Sequence, residues 1–192
     1  MSATIDDIAT AIRYLIRRAM GMPDNSVRPS GQSAPAGSQV AEMAIVEITD
    51  AEDVGFAADG VEPDGSGGFL ATSEVPERIT ASVNFFKSPT RDAAGLATYS
   101  NAAYDRARRL NQVLQLPANV QLTAILGLGY LGAGKPHNLR ALADQTWESR
   151  GHVDLYFNVI NRETSPVATI ASLEFTVSQQ PSGASQTTEV TT

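Results

Sequence analysis

The sequence lacks cysteine and has little histidine, which narrows the chemistry open to it. Its 192 residues contain no cysteine and two histidines, His137 and His152. Disulfides, thiolate nucleophiles and cysteine-based zinc sites are therefore excluded. Neither histidine has a serine or second histidine at the spacing of a known catalytic or metal motif. We predict two partly exposed polar residues and assign no catalytic residue, no metal and no cofactor.

Long apolar runs and a basic N-terminus are missing too. No apolar run approaches the roughly 18 residues that a membrane-spanning helix needs. The first residues, Met1 to Asp7, carry acids where a secretory signal peptide carries basic residues. We therefore expect a soluble protein that is made and used in the cytoplasm.

Basic residues are absent between Arg28 and Arg78, and this stretch makes the protein acidic. The net charge is −7, yet the rest of the chain has 14 basic and 11 acidic residues, a net of +3. A protein that grips nucleic acid is expected to show a basic surface instead. We expect the acidic stretch to be exposed and mobile, because like charges repel and a glycine-rich loop cannot bury them. Its ten acidic residues are Glu42, Glu47, Asp50, Glu52, Asp53, Asp59, Glu62, Asp64, Glu74 and Glu77.

The length favours one domain, since 192 residues suffice for one hydrophobic core but not for two ordinary ones. We predict a single domain over residues 1–177. Residues 50–75, which include five glycines and a proline, are predicted to be an acidic loop or ragged hairpin inserted in it. Residues 178–192 are rich in Gln, Ser, Thr and Gly and are predicted to be a disordered tail.

Periodicity predicts the elements of the N-terminal half. Apolar residues recur at helical spacing from Ile5 to Ala19, and Gly21 follows, so we predict an amphipathic helix. The Pro- and Ser-rich residues 23–39 are predicted to be a loop. Residues 40–49 and 78–86 are predicted strands, the second because Ile79, Ala81, Val83 and Phe85 alternate with polar residues.

In the C-terminal half, Ser88 and Pro89 are typical of a helix start, and Pro117 of a stop. We therefore predict a long central helix between them. Further strands are predicted at 120–128, 152–159 and 171–177, with residues 139–147 as a short helical or irregular bridge. Residues 161–166 should form the turn of an antiparallel hairpin joining the last two strands. The predicted packed side of the helix is Leu96, Tyr99, Ala103, Leu110, Val113 and Leu114, with Arg106, Arg108 and Arg109 facing solvent or another subunit.

A glycine-rich stretch from Gly127 to Pro136 resembles two phosphate-binding motifs at once. It contains both G-x-G-x-x-G and G-x-x-x-x-G-K. The second motif needs a Ser or Thr after Lys135 and a helix starting there, but Pro136 supplies neither a hydroxyl nor an amide hydrogen. The G-x-G-x-x-G motif should stand at the start of a helix, whereas here the glycines are followed by Lys-Pro-His-Asn. We predict a flexible turn, and a nucleotide-binding enzyme is the less favoured alternative.

The segment from Trp147 to Leu155 carries the only tryptophan, placed just before a predicted strand. Glu148 and Arg150 flank it, and they could pair locally or across a subunit boundary. An aromatic with charged neighbours is typical of protein interfaces as well as of a core anchor. We predict that Trp147, Glu148 and Arg150 serve a subunit contact or anchor the sheet.

The order of these parts resembles that of the neck or tail terminator proteins of tailed bacteriophages. The likeness spans residues 5–177 and rests on the first helix, the strands near 43–48 and 79–86, the long helix, and Trp147-Glu148-x-Arg150 leading into Val153-Asp154-Leu155. It implies an α+β fold, in which a curved, mostly antiparallel sheet is backed by the central and N-terminal helices. It also implies a structural virion protein, not an enzyme, without cofactors.

The resemblance further implies a hexameric ring in the neck of the virion that stops tail-tube polymerisation and joins tail to head. The implied partners are the tail tube protein and head–tail connector proteins, with DNA passing through the channel unbound. Another connector adaptor or a tail-tube protein is the nearest alternative. The acidic residues are expected to line the channel or its rim, or else to meet a basic face of a partner. The candidates are Asp50, Glu52, Asp53, Asp59, Glu62 and Asp64.

Overall fold

A computed structural model describes most of the chain. The described residues are 4–31, 42–88, 90–91, 93–94, 97–98, 100–139, 141–143, 146–167, 172–178 and 185–191. The chain divides into two compact units, and the division falls inside two long strands. The first unit comprises Met1–Ala57 and Glu74–Arg162, and the second comprises Ala58–Ser73 and Glu163–Thr192.

The first helix, α1 (Ile5–Met20), confirms the prediction from apolar spacing. Thr4 caps it, because the Thr4 hydroxyl accepts the backbone N–H of Asp7 at 3.2 Å while the Asp7 carboxylate accepts the backbone N–H of Thr4 at 3.1 Å. The Thr4 hydroxyl also donates to the Asp7 carboxylate at 2.7 Å, and this bond, followed by the Thr4 backbone bond, lowers the pKa of Asp7. The helix ends at Gly21, whose φ of 60° is in the left-handed region.

The strands of the N-terminal half are β1 (Val27–Pro29), β2 (Glu42–Asp53), β3 (Ala58–Pro63) and β4 (Phe69–Lys87). Of these, β2 and β4 include the described parts of the two predicted strands and extend beyond them. Because β2, β3 and β4 together cover most of residues 50–75, the hairpin alternative of that prediction describes the stretch and the loop alternative does not. Backbone pairing explains this difference, since β2 pairs antiparallel with β4 as far as Asp53 and β3 pairs with β4.

The predicted long helix is shorter than expected. Two short strands, β5 (Thr90–Arg91) and β6 (Ala97–Thr98), pair with each other where the helix was predicted to begin. Helix α2 (Ala102–Leu114) follows, so only the second half of the prediction is correct. The threonines and the glycine at position 95 have lower helix propensity than the Ala- and Arg-rich residues after 101. Leu96 and Tyr99 of the predicted packed side lie outside the described residues.

The strand predicted at 120–128 is wrong, because a second helix, α3 (Pro117–Ile125), occupies most of that stretch. Pro117 stands in the first turn of α3, where a missing N–H removes no helical hydrogen bond. It therefore both follows the end of α2 and begins α3. The alternating apolar residues therefore lie on a helix. Several of them are exposed.

The remaining strands are β7 (Gly129–Ala133), β8 (His137–Asn138), β9 (Ala141–Ala143), β10 (Thr146–Val167), β11 (Ser172–Ser178) and β12 (Ser185–Thr191). The predicted bridge at 139–147 is thus strand where it is described, and the backbone of β9 pairs with the start of β10. The predicted turn at 161–166 is wrong, because these residues continue β10. Strand β11 pairs antiparallel with β12, and β12 falls within the predicted disordered tail. The β-branched Thr and Val residues of β12 favour a strand there once β11 offers a partner.

The main sheet is open and has the order β1-β2-β4-β10-β7, with β8 and β9 pairing along β10 and β3 along β4. Strand β1 is parallel to β2, and β2–β4 and β7–β10 are antiparallel. One face of β4 and β10 packs on α1 and α2 and forms the core of the first unit. The alternation predicted at Ile79–Phe85 and Val153–Val159 is confirmed by their burial. The largest fully buried side chains include Ile12, Leu15, Ile16, Phe85, Leu110, Leu114, Leu155 and Phe157.

Candidate assembly surfaces

Ser149 and Gly151 dock the start of α2 on the sheet. The Ser149 hydroxyl accepts the backbone N–H of Ala103 at 3.3 Å, and so caps a helix whose own N-cap residue, Asn101, makes no side-chain cap bond. A Cβ placed on Gly151 would lie 2.7 Å from the Tyr104 Cα, closer than real Cβ atoms come to backbone. Sequence reasoning missed both residues. A glycine at the entry to a predicted strand was the available signal for such a close approach.

The three predicted interface residues of this segment have different surroundings. Arg150 lies on the other face of β10, where its guanidinium carbon is 5.1 Å from the centre of the Phe86 ring. The backbones of Trp147 and Glu148 belong to β10 and pair with Leu142 and Ala141. Their side chains lie outside the described part of the structure, so their contact role stays a prediction.

His152 lies in a polar cluster on the sheet face opposite the helices. Its Nδ1 is 3.1 Å from the Asn84 amide oxygen and 3.4 Å from the Ser82 hydroxyl, and its Nε2 is 3.3 Å from an Asp154 carboxylate oxygen. Serine, histidine and aspartate thus adjoin, as in a hydrolase. However, the ring is reversed relative to a catalytic triad, in which the serine faces Nε2 and the aspartate faces Nδ1. These contacts link β4 to β10.

His137, predicted to be a polar residue of the glycine-rich turn, is exposed and lies on β8. Its ring centre is 6.1 Å from that of His152. Within the described ranges, no group of three or more His, Asp or Glu side chains could hold a metal ion. Among the same residues, no helix is long and apolar enough to cross a membrane.

The glycine-rich stretch has a structural role that the sequence did not reveal. Its residues Gly129–Ala133 form β7, which pairs with β10, and a strand instead of a helix follows the lysine. The predicted turn is confirmed around Gly127, whose φ is +70°, and at residues 134–136 between β7 and β8, but it is wrong for Gly129–Ala133. Tyr130 packs against Phe157 with ring centres 5.5 Å apart and donates to the Asn111 side-chain oxygen at 2.9 Å, and burial raises its pKa to about 12. The geometry of a phosphate loop is absent here.

Arginines from other parts of the chain compensate part of the acidic stretch. Glu42 pairs with Arg106, Glu52 with Arg78 at 3.3 Å and Glu74 with Arg162 at 3.5 Å. The expectation of uncompensated repulsion is therefore wrong for these three acids, because the fold brings in bases that are distant in sequence. The other acids named as candidates are Asp50 and Asp53 on β2 and Asp59, Glu62 and Asp64 in the second unit.

Asp59, Glu62 and Asp64 belong to a hairpin formed by β3 and the start of β4. Asp64 holds the turn, since its carboxylate accepts the backbone N–H groups of Ser66 at 2.7 Å and Gly68 at 2.8 Å. The Ser66 backbone bond is the main cause of a lowered pKa at Asp64. Asp59 accepts the Ser73 hydroxyl at 2.8 Å. The predicted loop or hairpin is thus a hairpin whose turn is held by Asp64.

A groove of about 330 Å³ lies between α1, α2 and the adjoining ends of β2 and β4. Its lining combines apolar residues from both helices with three bases and two acids. The bases are Lys87, Arg106 and Arg109, and the acids are Glu42 and Asp105. Among the described residues, Lys87 and Arg109 make no ion pair.

A second surface in the first unit is apolar and consists of exposed residues on α3 and β7. Ile125 is 80% exposed and Leu131 60%, and Leu116 and Val120 are about half exposed. Exposed apolar patches on soluble proteins commonly mark protein contacts. The groove, the apolar surface and the hairpin are the candidate contact surfaces that the described residues present.

Comparison with protein families identifies the class. Residues 6–181 match the family model described as phage neck terminator protein, and the chain belongs to this family. The resemblance inferred from the order of elements is therefore confirmed. Membership places the chain among the structural proteins of the bacteriophage tail.

No curated protein matches the chain. One similar solved structure is the PVC sheath/tube terminator of an extracellular contractile injection system in its extended state, determined by cryo-EM. The match has 12% sequence identity and a TM-score of 0.48, and it covers 95% of this chain and 66% of the longer one. A likeness at this level does not bear on function.

Proposed function

We propose that this protein is a tail terminator whose copies close into a hexameric ring that caps the tail tube and joins the tail to the head. The observation that carries the proposal is the family match over residues 6–181. The proposed partners are the tail tube protein and the head–tail connector proteins, and DNA passes through the ring without specific binding. The protein acts in the virion neck and assembles in the host cytoplasm.

The exposed apolar residues of α3 and β7 support a role in assembly. Left in water, Ile125 and Leu131 keep apolar area exposed, and a neighbouring protein in the virion would cover it. Closed rings need two different, complementary faces on every copy. The α3–β7 surface is one candidate face for a neighbouring copy or a tube subunit.

Trp147, Glu148 and Arg150 are proposed as a further contact or anchor. Trp147→Ala should lower the free energy of unfolding by about 3 kcal/mol, the usual cost of deleting a buried large aromatic, or else weaken assembly. Thermal unfolding and ring formation are measured together. Unchanged results in both would remove Trp147 from the proposal.

The acidic residues Asp50, Glu52, Asp53, Asp59, Glu62 and Asp64 are proposed to line the DNA channel or its rim, or to meet a basic face of a partner. A negative lining would keep DNA from adhering, because a cationic lining binds phosphate through counterion release. Two separate positions along the chain carry these residues, the end of β2 and the β3–β4 hairpin. The two groups can therefore be tested separately.

The proposal is tested by determining the mass of the purified protein with light scattering and imaging it by electron microscopy, alone and with purified tail tubes. Closed rings, free or seated on tube ends, are the expected result. Monomers that persist in the presence of tubes would overturn the proposal. Continuous tubes would indicate a tail-tube protein, and binding to connector proteins but not to tubes would indicate a connector adaptor.

A further inference from the structure

We propose that the hairpin of residues 58–73 in one copy docks into the groove between α1 and α2 of the next copy. This inference rests on the proposed ring. It assigns two surfaces to one contact, so that each copy gives its hairpin to one neighbour and accepts the hairpin of the other.

The groove offers a basic and apolar receptor. Lys87 and Arg109 make no ion pair among the described residues, whereas Arg106 already pairs with Glu42. Met20 and Val113 add half-buried apolar surface to the lining. A ligand for this groove should therefore bring carboxylates and a few apolar side chains together.

The hairpin has this combination. Asp59, Glu62 and Asp64 are its acids, and residues 58–73 include no Lys or Arg. Val61 is 66% exposed and Phe69 49% exposed, so large apolar side chains accompany the acids. The Asp64 turn holds the hairpin in shape, which lowers the entropy cost of docking.

The exposed apolar residues favour docking over a DNA channel for this group of acids. A channel lining that only repels DNA needs negative charge, and exposed apolar side chains such as Val61 and Phe69 do not add to that repulsion. A protein contact uses both, with apolar burial for affinity and charge complementarity for register.

A second copy is the occupant that fits best, because every copy carries both surfaces. A head-to-tail contact between two different faces repeats from copy to copy until the ring closes. In the closed ring, the hairpin and the groove of every copy are both occupied.

The test reverses charges on each side. The hairpin variant carries Asp59→Lys and Glu62→Lys and keeps the Asp64 turn, and the groove variant carries Lys87→Glu and Arg109→Glu. Each should weaken ring formation about tenfold or more, since like charges then face each other. Matched controls change charge equally elsewhere: Asp6→Lys with Glu47→Lys at other exposed positions, and Arg18→Glu with Lys135→Glu. The controls should form rings like the unmodified protein.

Mixing the two variants is the decisive measurement. In an alternating ring every hairpin meets a groove of opposite charge, so the mixture should form rings where each variant alone does not. Thermal unfolding of each variant shows that it is folded. The docking inference would be overturned if either variant alone formed rings, or if mixing the two folded variants did not restore rings. The proposed terminator role would still stand in that case, provided that the unmodified protein forms rings. Absence of rings from the unmodified protein with tail tubes would instead overturn the proposed function.

Discussion

At the scale of single residues, Gly151 sets how closely α2 approaches the sheet. The helix backbone at Ala103 and Tyr104 occupies the space that a side chain at this position would need. Ser149, two residues earlier on the same face of β10, accepts the Ala103 N–H. Together they fix the start of α2, the helix that supplies Arg106 and Arg109 to the groove.

Gly151→Ala should therefore destabilise the protein by about 2 kcal/mol, in the range measured for overpacked sites, because the obstacle is helix backbone and cannot rotate away. Denaturant unfolding measures the change. Gly134→Ala is the matched control, since its Cβ would meet only the end of the Tyr156 side chain at 3.2 Å. Equal stability of the two variants would show that the contact at Gly151 relaxes without cost.

Asp7 makes the stability of α1 depend on pH. Its pKa is lowered by the bonds to Thr4, so the carboxylate stabilises the folded state at neutral pH. This stabilisation is present above the unfolded value of 3.8 and disappears as the pH falls through the lower folded pKa. Asp7→Ala should lower the melting temperature at pH 7, and the difference from the unmodified protein should shrink below pH 4.

Asp6→Ala provides the comparison for this effect. Asp6 also lies in the first turn, but no cap bond to Thr4 comes from its side chain. It should therefore show a smaller difference at pH 7. A constant difference for Asp7→Ala across the acid range would mean that the charge of the cap does not matter.

At the scale of elements, the sequence predicted those whose signals are local. Helix α1 has apolar spacing and a terminal glycine, and strands β2, β4 and β10 alternate because one face is buried. Helix α3 was missed because it is apolar on exposed as well as packed sides, so its sequence does not show a helical period. The extent of β10 was missed because pairing with distant strands, not composition, keeps residues 161–166 extended.

The candidate surfaces were only partly predictable for the same reason. Glu42 and Arg106 are 64 positions apart, and nothing local to either residue shows that they meet. The acidic stretch and the segment at Trp147–Leu155 were recognisable from charge and composition. The groove and the roles of Ser149 and Gly151 depend on how α2 packs on β10, which the sequence analysis did not address.

The exposed side of α3 leads to a prediction at this scale. Ile125→Asp should leave the melting temperature nearly unchanged, because the side chain is 80% exposed, but should reduce ring formation or attachment to tail tubes. Gln121→Asp places the same charge at another exposed position of the helix and should be neutral. Tube capping is scored by electron microscopy. Normal capping by Ile125→Asp would exclude this surface from assembly.

At the scale of the whole molecule, charge is divided among surfaces with different proposed roles. The groove holds basic residues, the hairpin holds acids beside apolar residues, and the end of β2 holds Asp50 and Asp53. These two are exposed, and neighbouring Glu52 is held by Arg78. If the hairpin acids dock on a neighbouring copy, the β2 acids remain as the candidates for the channel or its rim.

Asp50→Lys with Asp53→Lys should then leave ring assembly intact but change how the ring meets DNA. The substitution converts two negative charges to positive ones, so the isolated ring should gain DNA binding that weakens steeply with salt, as phosphate contacts do. Gel-shift titrations at low and high salt measure the binding, and virions carrying the variant should eject DNA more slowly. Glu163→Lys with Asp24→Lys makes the same charge change at other exposed positions and should bind DNA less. A different outcome would point to a docking site for a neck partner at the end of β2. In that outcome the β2 variant forms rings and binds no DNA, but head–tail joining fails. A residue that only lines the channel would not be needed for joining, because it acts when DNA moves through the channel.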